Sequence, residues 1–401
     1  MTGSGKPLLY PEERALDDAA WEQGLTPSRI FAILLPVWQV EVRATVTEDR
    51  PYELIDRFLE RGILEGGLTS VAELSRFFAL DEPLVDRAVR VLSAIGHVTV
   101  RDGRLALTEL ALRSQRDQVC YVTTREDRRK MYFDAFSSRP FSRGYYDSGT
   151  VTFLTADKAA AATAAHPYPR FLKLTSMRGF RRDALRDLEG RSDRDHYNLP
   201  FRVEQPESLG EECVYLPVYL VRAADARRAP RYLVYSQITD TADPELSDLC
   251  GSLPEITGLV ESEALAVQPG RHEQRIADWL ADKGVHGVRA VQTERGFWQV
   301  TLPATAFRPS GRVPLSRIGS FVPLGTGVLG VWCEDERIRE DAFLRRIDAY
   351  VTASRTDVGD WVVRLARRLG LALGTVAEVG ALARRAGMSS LAAVLAEHAG
   401  S

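Results

Sequence analysis

A chain of 401 residues exceeds what one core of ordinary size holds, so two or three domains are expected. Hydrophobic content of 45% beside 27% charged residues places it among soluble globular proteins, and a net charge of −3 excludes a globally basic nucleic-acid coat while leaving local patches open. Positive charge is nearly all arginine: Lys6, Lys130, Lys158, Lys173 and Lys283 are the only lysines, and the arginines are dispersed beside as many acids, which reads as coding bias.

Cys120, Cys213, Cys250 and Cys333 are far apart, with no Cys-x-x-Cys pair and no histidine at ligand spacing. Free structural thiols in a reducing compartment, with no metal, are therefore expected. Met1–Arg14 has no apolar run of signal-peptide type, and Ile30–Trp38, the longest apolar run, is far short of a membrane span. The expected location is cytoplasmic, away from membranes.

In chain order, a small-residue tail, Met1–Gly5, precedes an acidic helical segment, Pro11–Gln23, with Trp21 as a candidate docking residue. Ile30–Val46 reads as an extended element, with Val37, Val40, Val42 and Val46 supplying strand character. From Arg50 to Ser114 the pattern is three helices and a two-stranded ribbon. Leu54, Ile55, Phe58, Leu59 and Ile63 form one helical stripe that Gly66-Gly67 stops. Ser70 and Glu73 spell a capping box for a second helix carrying Val71, Leu74 and Phe78. Asp81, Glu82 and Pro83 open a third, with Val85, Val89 and Leu92 inward and Gly96 at its end. His97–Val100 then alternates as a strand, Arg101-Asp102-Gly103-Arg104 has hairpin-turn chemistry, and Leu105–Leu107 returns.

This order, with the stretch SVAELSRFFALDEPLVDRAVRVLSAIGHVTVRDGRLALTELA, resembles the winged-helix family. The resemblance covers about a sixth of the chain. It implies a third helix placed in the DNA major groove and wing arginines on the backbone. The residues that would do this are Arg87, Arg90 and Ser93 on the third helix and Arg101 and Arg104 on the wing. Against it, Asp81, Glu82 and Asp86 repel phosphate, and residues 51–117 hold nine Arg against eleven Asp or Glu. A protein-interaction adaptor is therefore the alternative.

Beyond the wing, Thr108 is positioned to cap a short helix. Tyr121–Tyr146 then interleaves Arg125, Arg128, Arg129, Lys130, Arg139 and Arg143 with Tyr132, Phe133, Phe136, Phe141, Tyr145 and Tyr146. Such a mixture can bind phosphates while stacking bases, which adds Arg128, Arg129 and Lys130 to the candidate DNA contacts. The competing reading, favoured about two to one, makes the aromatics core and the arginines solvated. Thr155–His166 reads as a helix that His166-Pro167-Tyr168-Pro169 ends, and Arg170–Arg194 as a salt-bridged helical surface. Cys213–Arg222 and Arg231–Ile238 form the clearest strand pair, and Thr239–Leu253 reads as loop. Past Gly270 a helix over Arg271–Asp282 leads to strands at Val288–Val291, Phe297–Leu302, Gly319–Leu324 and Val328–Trp332, then to helices from Arg337 onward. The expected architecture is α+β: 1–49 a helix and strand, 50–117 a winged helix, 118–265 a mixed middle domain, and 266–401 a strand–helix domain with a helical tail.

Signatures of chemistry are few. Gly325-Thr326-Gly327-Val328-Leu329-Gly330 has the dinucleotide-binding spelling, but strand composition follows where a helix is needed, so a hairpin is expected. No Walker A run, metalloprotease histidine pair or Gly-x-Ser-x-Gly elbow occurs, and Asp193–His196 reads as a solvated loop rather than a metal site. Gly311–Gly327, GRVPLSRIGSFVPLGTG, is similar to the Arg-centred strand–turn segment of WYL-type ligand-sensing regulators, which also carry a winged helix. The Trp-Tyr-Leu spelling is absent and the chain is longer than is usual there. The expectation is a non-catalytic nucleic-acid-binding protein without a cofactor, acting as a regulator or as the DNA-engaging subunit of an assembly. A homodimer or protein partner and a WYL-like sensor are the alternatives.

Overall fold

The computed structural model describes residues 11–399 apart from 148, 165–170, 190, 198, 201, 240, 267–268, 295–296, 308–310 and 354–357. Helix α1 (Glu12–Asp17) runs into a π-helical turn at Asp18–Glu22, and β1 (Thr26–Arg50) extends the expected strand at both ends. Then come α2 (Leu54–Leu64), α3 (Val71–Phe78), α4 (Glu82–Ala94), β2 (Val98–Arg101), β3 (Arg104–Leu107), α5 (Glu109–Asp117) and β4 (Cys120–Asp134). Next are α6 (Ala156–Ala164), β5 (Leu172–Lys173), α7 (Asp183–Arg186), β6 (Arg202–Ala224), β7 (Pro230–Tyr235), α8 (Pro244–Ser252), α9 (Pro254–Ala266) and α10 (Pro269–Asp282). The rest is β8 (Val291–Gln292), β9 (Trp298–Leu302), β10 (Ser320–Leu324), β11 (Gly327–Cys333), α11 (Glu336–Ala353), α12 (Val358–Arg368), α13 (Val376–Arg385) and α14 (Ser389–Ala399). The class is mixed α+β, with a large mixed sheet and a helical C-terminal region.

The chain divides into two compact units. One takes the chain up to Leu34, Ala161–Lys173 and everything from Pro217; the other takes Leu35–Ala160 and Leu174–Leu216. Strands β1 and β6 run through both, in the order β7-β6-β1-β11-β9-β8, with β10 on β11 and both β4 and β5 on β1.

In the first unit β10 and β11 form an antiparallel hairpin from Ser320↔Val331 to Leu324↔Gly327, turned by Gly325 and Thr326. This is the hairpin expected from the glycine-rich spelling. A side chain at Gly325 would meet Arg275, one at Gly327 would lie 2.4 Å from the His272 ring, and one at Gly330 would meet Phe297. Close approach of α10 and Phe297, not a pyrophosphate, explains the three glycines. Behind the sheet, Leu329, Val331, Phe343, Ile347, Val362, Leu369 and Leu395 lie in one core.

In the second unit β1 pairs antiparallel with β4 from Val37↔Asp134 to Arg50↔Cys120, with a bulge between Ala44 and Val46. Val40, Val42, Met131 and Phe133 pack there against Ala184, Leu185 and Leu188 of the α7 region.

Three expectations are corrected. Within Thr239–Leu253 lies α8: Asp243 accepts from the Leu246 amide at 3.1 Å, Pro244 opens the first turn, and Leu246, Leu249 and Cys250 are buried at helical spacing. Only Asp183–Arg186 is α-helical among the described residues of Arg170–Arg194, and Arg191 pairs with Asp193 at a spacing that an α-helix does not bring together. The strand expected at Val288–Val291 is reduced to Val291–Gln292. The stop at His166–Pro169 and the Met1–Gly5 tail lie outside the described residues. Among those described, no helix is long and apolar enough to cross a membrane, no cluster of three metal-ligating side chains occurs, and all four cysteines are free.

Candidate nucleic-acid interface

Helices α2, α3 and α4 and the β2–β3 hairpin enclose a small core of Leu59, Ile63, Leu74, Val85, Val89, Leu92 and Val98. The ends are set as the sequence indicates. Ser70 and Glu73 exchange bonds in a full capping box, and Thr108 accepts from the Ala111 amide at 3.3 Å to start α5. Asp81 occupies the N-cap of α4 without a side-chain cap bond, and Pro83 stands in its first turn. One stripe is corrected: Leu54 and Phe58, expected inside, are exposed, because α2 turns Leu59 and Ile63 to the core instead.

Arg87, Arg90 and Ser93 are exposed on α4. Arg101 and Arg104 are directly paired across the hairpin, so the two exposed residues flank its Asp102-Gly103 tip. Arg87, Arg101 and Arg104 make no ion pair among the described residues. Arg90 pairs with Asp86 one turn earlier on the helix. On β4, Arg128 and Lys130 are exposed, but Arg129 is half-buried and held by both Glu48 and Asp127. Its hydrogen bonds to those acids keep it protonated against burial. The neighbouring aromatics are core: Phe133, Phe136, Phe141 and Tyr145 are buried, and Tyr132 stacks on Phe153 with centroids 4.1 Å apart. They offer no stacking platform.

Sequence reasoning missed a buried polar chain beneath this surface. His97 bonds Glu60 through Nδ1 and faces the Tyr121 carbonyl through Nε2, with Ser114 Oγ 3.3 Å from Nε2. Glu60 also accepts from Tyr52 at 2.9 Å and Gln115 at 2.7 Å. Burial first, then the Glu60 charge, hold the Tyr52 hydroxyl well above its ordinary pKa, and burial with Glu60 pushes the Cys120 thiol up to about 11. Serine, histidine and carboxylate stand in the order of a catalytic triad, yet Glu60, His97 and Ser114 are all 0% exposed. The Ser114 oxygen is itself occupied, accepting from the Tyr121 amide at 3.1 Å. No substrate reaches it, so the chain is a structural tie joining α2, α5 and the start of β4. The residues that compose it are up to 69 positions apart, from Tyr52 to Tyr121, and no local motif announces them.

Comparison with known proteins returns no matching family model, no matching curated protein and no matching solved structure.

Proposed function

We propose that residues 54–107 are a winged-helix module and that the protein is a non-catalytic, DNA-binding regulator or subunit. The observation that carries this is the set of exposed, unpaired arginines, Arg87 on α4 with Arg101 and Arg104 at the hairpin tip. A helix of this kind enters the major groove, and guanidiniums on a hairpin tip meet backbone phosphate. Asp86 tempers the surface by neutralising Arg90.

A gel-shift and salt titration on duplex DNA tests the proposal. Arg87→Ala with Arg90→Ala should weaken binding more than either alone, each lost phosphate contact flattening the log–log salt slope by about one unit. Asp86→Asn frees Arg90 and should tighten binding. Wild-type protein that ignores duplex DNA at low salt sinks the proposal.

The second reading, a protein-docking module, rests on a different observation. Among the described residues, most exposed large apolar side chains lie between Leu54 and Leu112, with Phe77 65% and Val100 63% exposed; Leu209 and Val291 are the others. Apolar surface concentrated in this way marks interaction sites. On that reading none of the three arginine or aspartate changes alters any binding to DNA.

A further inference from the structure

The first unit holds a cleft of about 990 Å³ that the DNA reading leaves unused. Trp21 of the π-helical turn walls one side, Arg228 of the β6–β7 turn another, and α11 with α12 a third. On these helices Arg346, Arg364, Arg367 and Arg368 line the space, together with Trp361.

The charges there do not cancel. Arg368 is spoken for: Nη2 is 2.6 Å from Asp17 and Nε donates to the Gly319 carbonyl at 2.7 Å. Arg364 lies 3.5 Å from Glu22. Arg346 is held by one nitrogen only, Nη2 donating to the Ser316 and Ile318 carbonyls at 2.6 Å each, while its Nη1 is buried with no acceptor. Trp21 Nε1 is likewise buried without an acceptor. Arg228 and Arg367 are exposed and make no ion pair among the described residues. Of the lining acids, Asp225 is engaged by Arg231 and by backbone amides of its own turn, which leaves Glu294. Burial first, then the charge of Arg368, push Arg346 down to about 10, with Asp17 opposing.

Flat apolar surface adjoins these donors. Arg368 lies 5.2 Å above the Trp21 ring, and Trp361 stacks on Tyr350 at 3.9 Å and 11°. Both rings are thereby held in place. Guanidinium forks match phosphate oxygens, and a cleft of this size takes a ligand of nucleotide dimensions.

We propose that this cleft binds a nucleoside phosphate, the phosphate accepting from the exposed Arg367 beside the positive charge of Arg346, and the base lying against the tryptophans. It stands independently of the DNA reading. The test is calorimetry and tryptophan fluorescence of the full chain with AMP, GMP, adenosine and inorganic phosphate. AMP or GMP should bind and quench fluorescence, adenosine should bind at least tenfold more weakly, and inorganic phosphate should compete only at higher concentration. Arg367→Ala, on the surface, should weaken nucleotide binding about tenfold, as loss of a charge-assisted hydrogen bond does, without changing the melting temperature. Arg346→Gln should abolish it; should that variant not fold, Arg367→Ala combined with Arg228→Ala carries the same test. Arg87→Ala should leave nucleotide binding intact, which separates this proposal from the DNA one. No binding of either nucleotide at millimolar concentration, adenosine binding as tightly as AMP, phosphate competing as well as either nucleotide, or binding indifferent to Arg367→Ala overturns it.

Discussion

Glu12, in the first turn of α1, is a carboxyl placed where its charge is unwelcome. Burial first, then the neighbouring Glu13, push it up from an ordinary value near 4.5 to about 7. The folded state therefore holds its proton more tightly than the unfolded state, and stability from this group is full below pH 4.5 and lost as pH rises through 7. Glu12→Gln should remove that loss. At pH 8 the variant should be more stable than the parent by up to about 3 kcal/mol, and at pH 4 indistinguishable from it, in urea unfolding at the two pH values. Glu60 is fully buried and accepts hydrogen bonds from Tyr52 and Gln115. Truncating Glu60→Ala strands His97, Tyr52 and Gln115 together, and should cost about 3–5 kcal/mol in guanidinium unfolding. A change below about 1 kcal/mol would mean that the tie is not structural.

Among the elements, the β10–β11 hairpin is the most constrained by its neighbours. Gly327→Ala puts a methyl group into the His272 ring and should destabilise by about 1–3 kcal/mol, the range for overpacking. Adding His272→Ala should recover part of that loss in a double-mutant cycle; strict additivity would disprove the contact. This hairpin was legible in advance because valine and leucine follow the glycines where a nucleotide-binding helix would start. The helices of the 54–107 module were legible too, through Ser70 with Glu73 and through Gly96, since caps and turns are local chemistry. Helix α8 was also written locally, in Asp243-Pro244, but the acidic surroundings masked it. What pattern could not convey was which stripe residues end up inside. Phe58 and Leu59 are both apolar, and only packing against α3 and α4 decides that Leu59 is buried and Phe58 is not. Exposure of Arg87, Arg101 and Arg104 followed from spacing. The capture of Arg129 by Glu48 did not, because it crosses from β4 to β1. The arginine-lined cleft was further out of reach, as Asp17 and Arg368 are 351 positions apart in the sequence.

At the scale of the whole molecule, neither unit is one continuous stretch of sequence. The first needs residues on both sides of 174–216, so a chain truncated after Leu216 loses β7, β9, β10 and β11 from the sheet that β1 enters. In such a fragment residues 11–34 should be rapidly proteolysed while the second unit, complete in it, persists; a protected core spanning residues 11–34 would contradict this division. The pairing of Arg50 with Cys120 carries a further consequence. Residues facing each other across antiparallel strands stand about 5 Å apart, so the three helices, the wing and α5 leave and rejoin the chain at nearly the same point. They occupy the place of a turn in one long β1–β4 ribbon. Topologically the module is a cassette, whose removal asks of the scaffold that a short linker close the gap and that the start of β4 stand without its tie to His97 and Ser114. Replacing residues 51–119 with Asn-Gly should leave a folded host that keeps the arginine-lined cleft and, on the DNA reading, no longer binds duplex. The module and its host are thus separable along the chain path, joined at Arg50 and Cys120 and at the buried contacts of Tyr121.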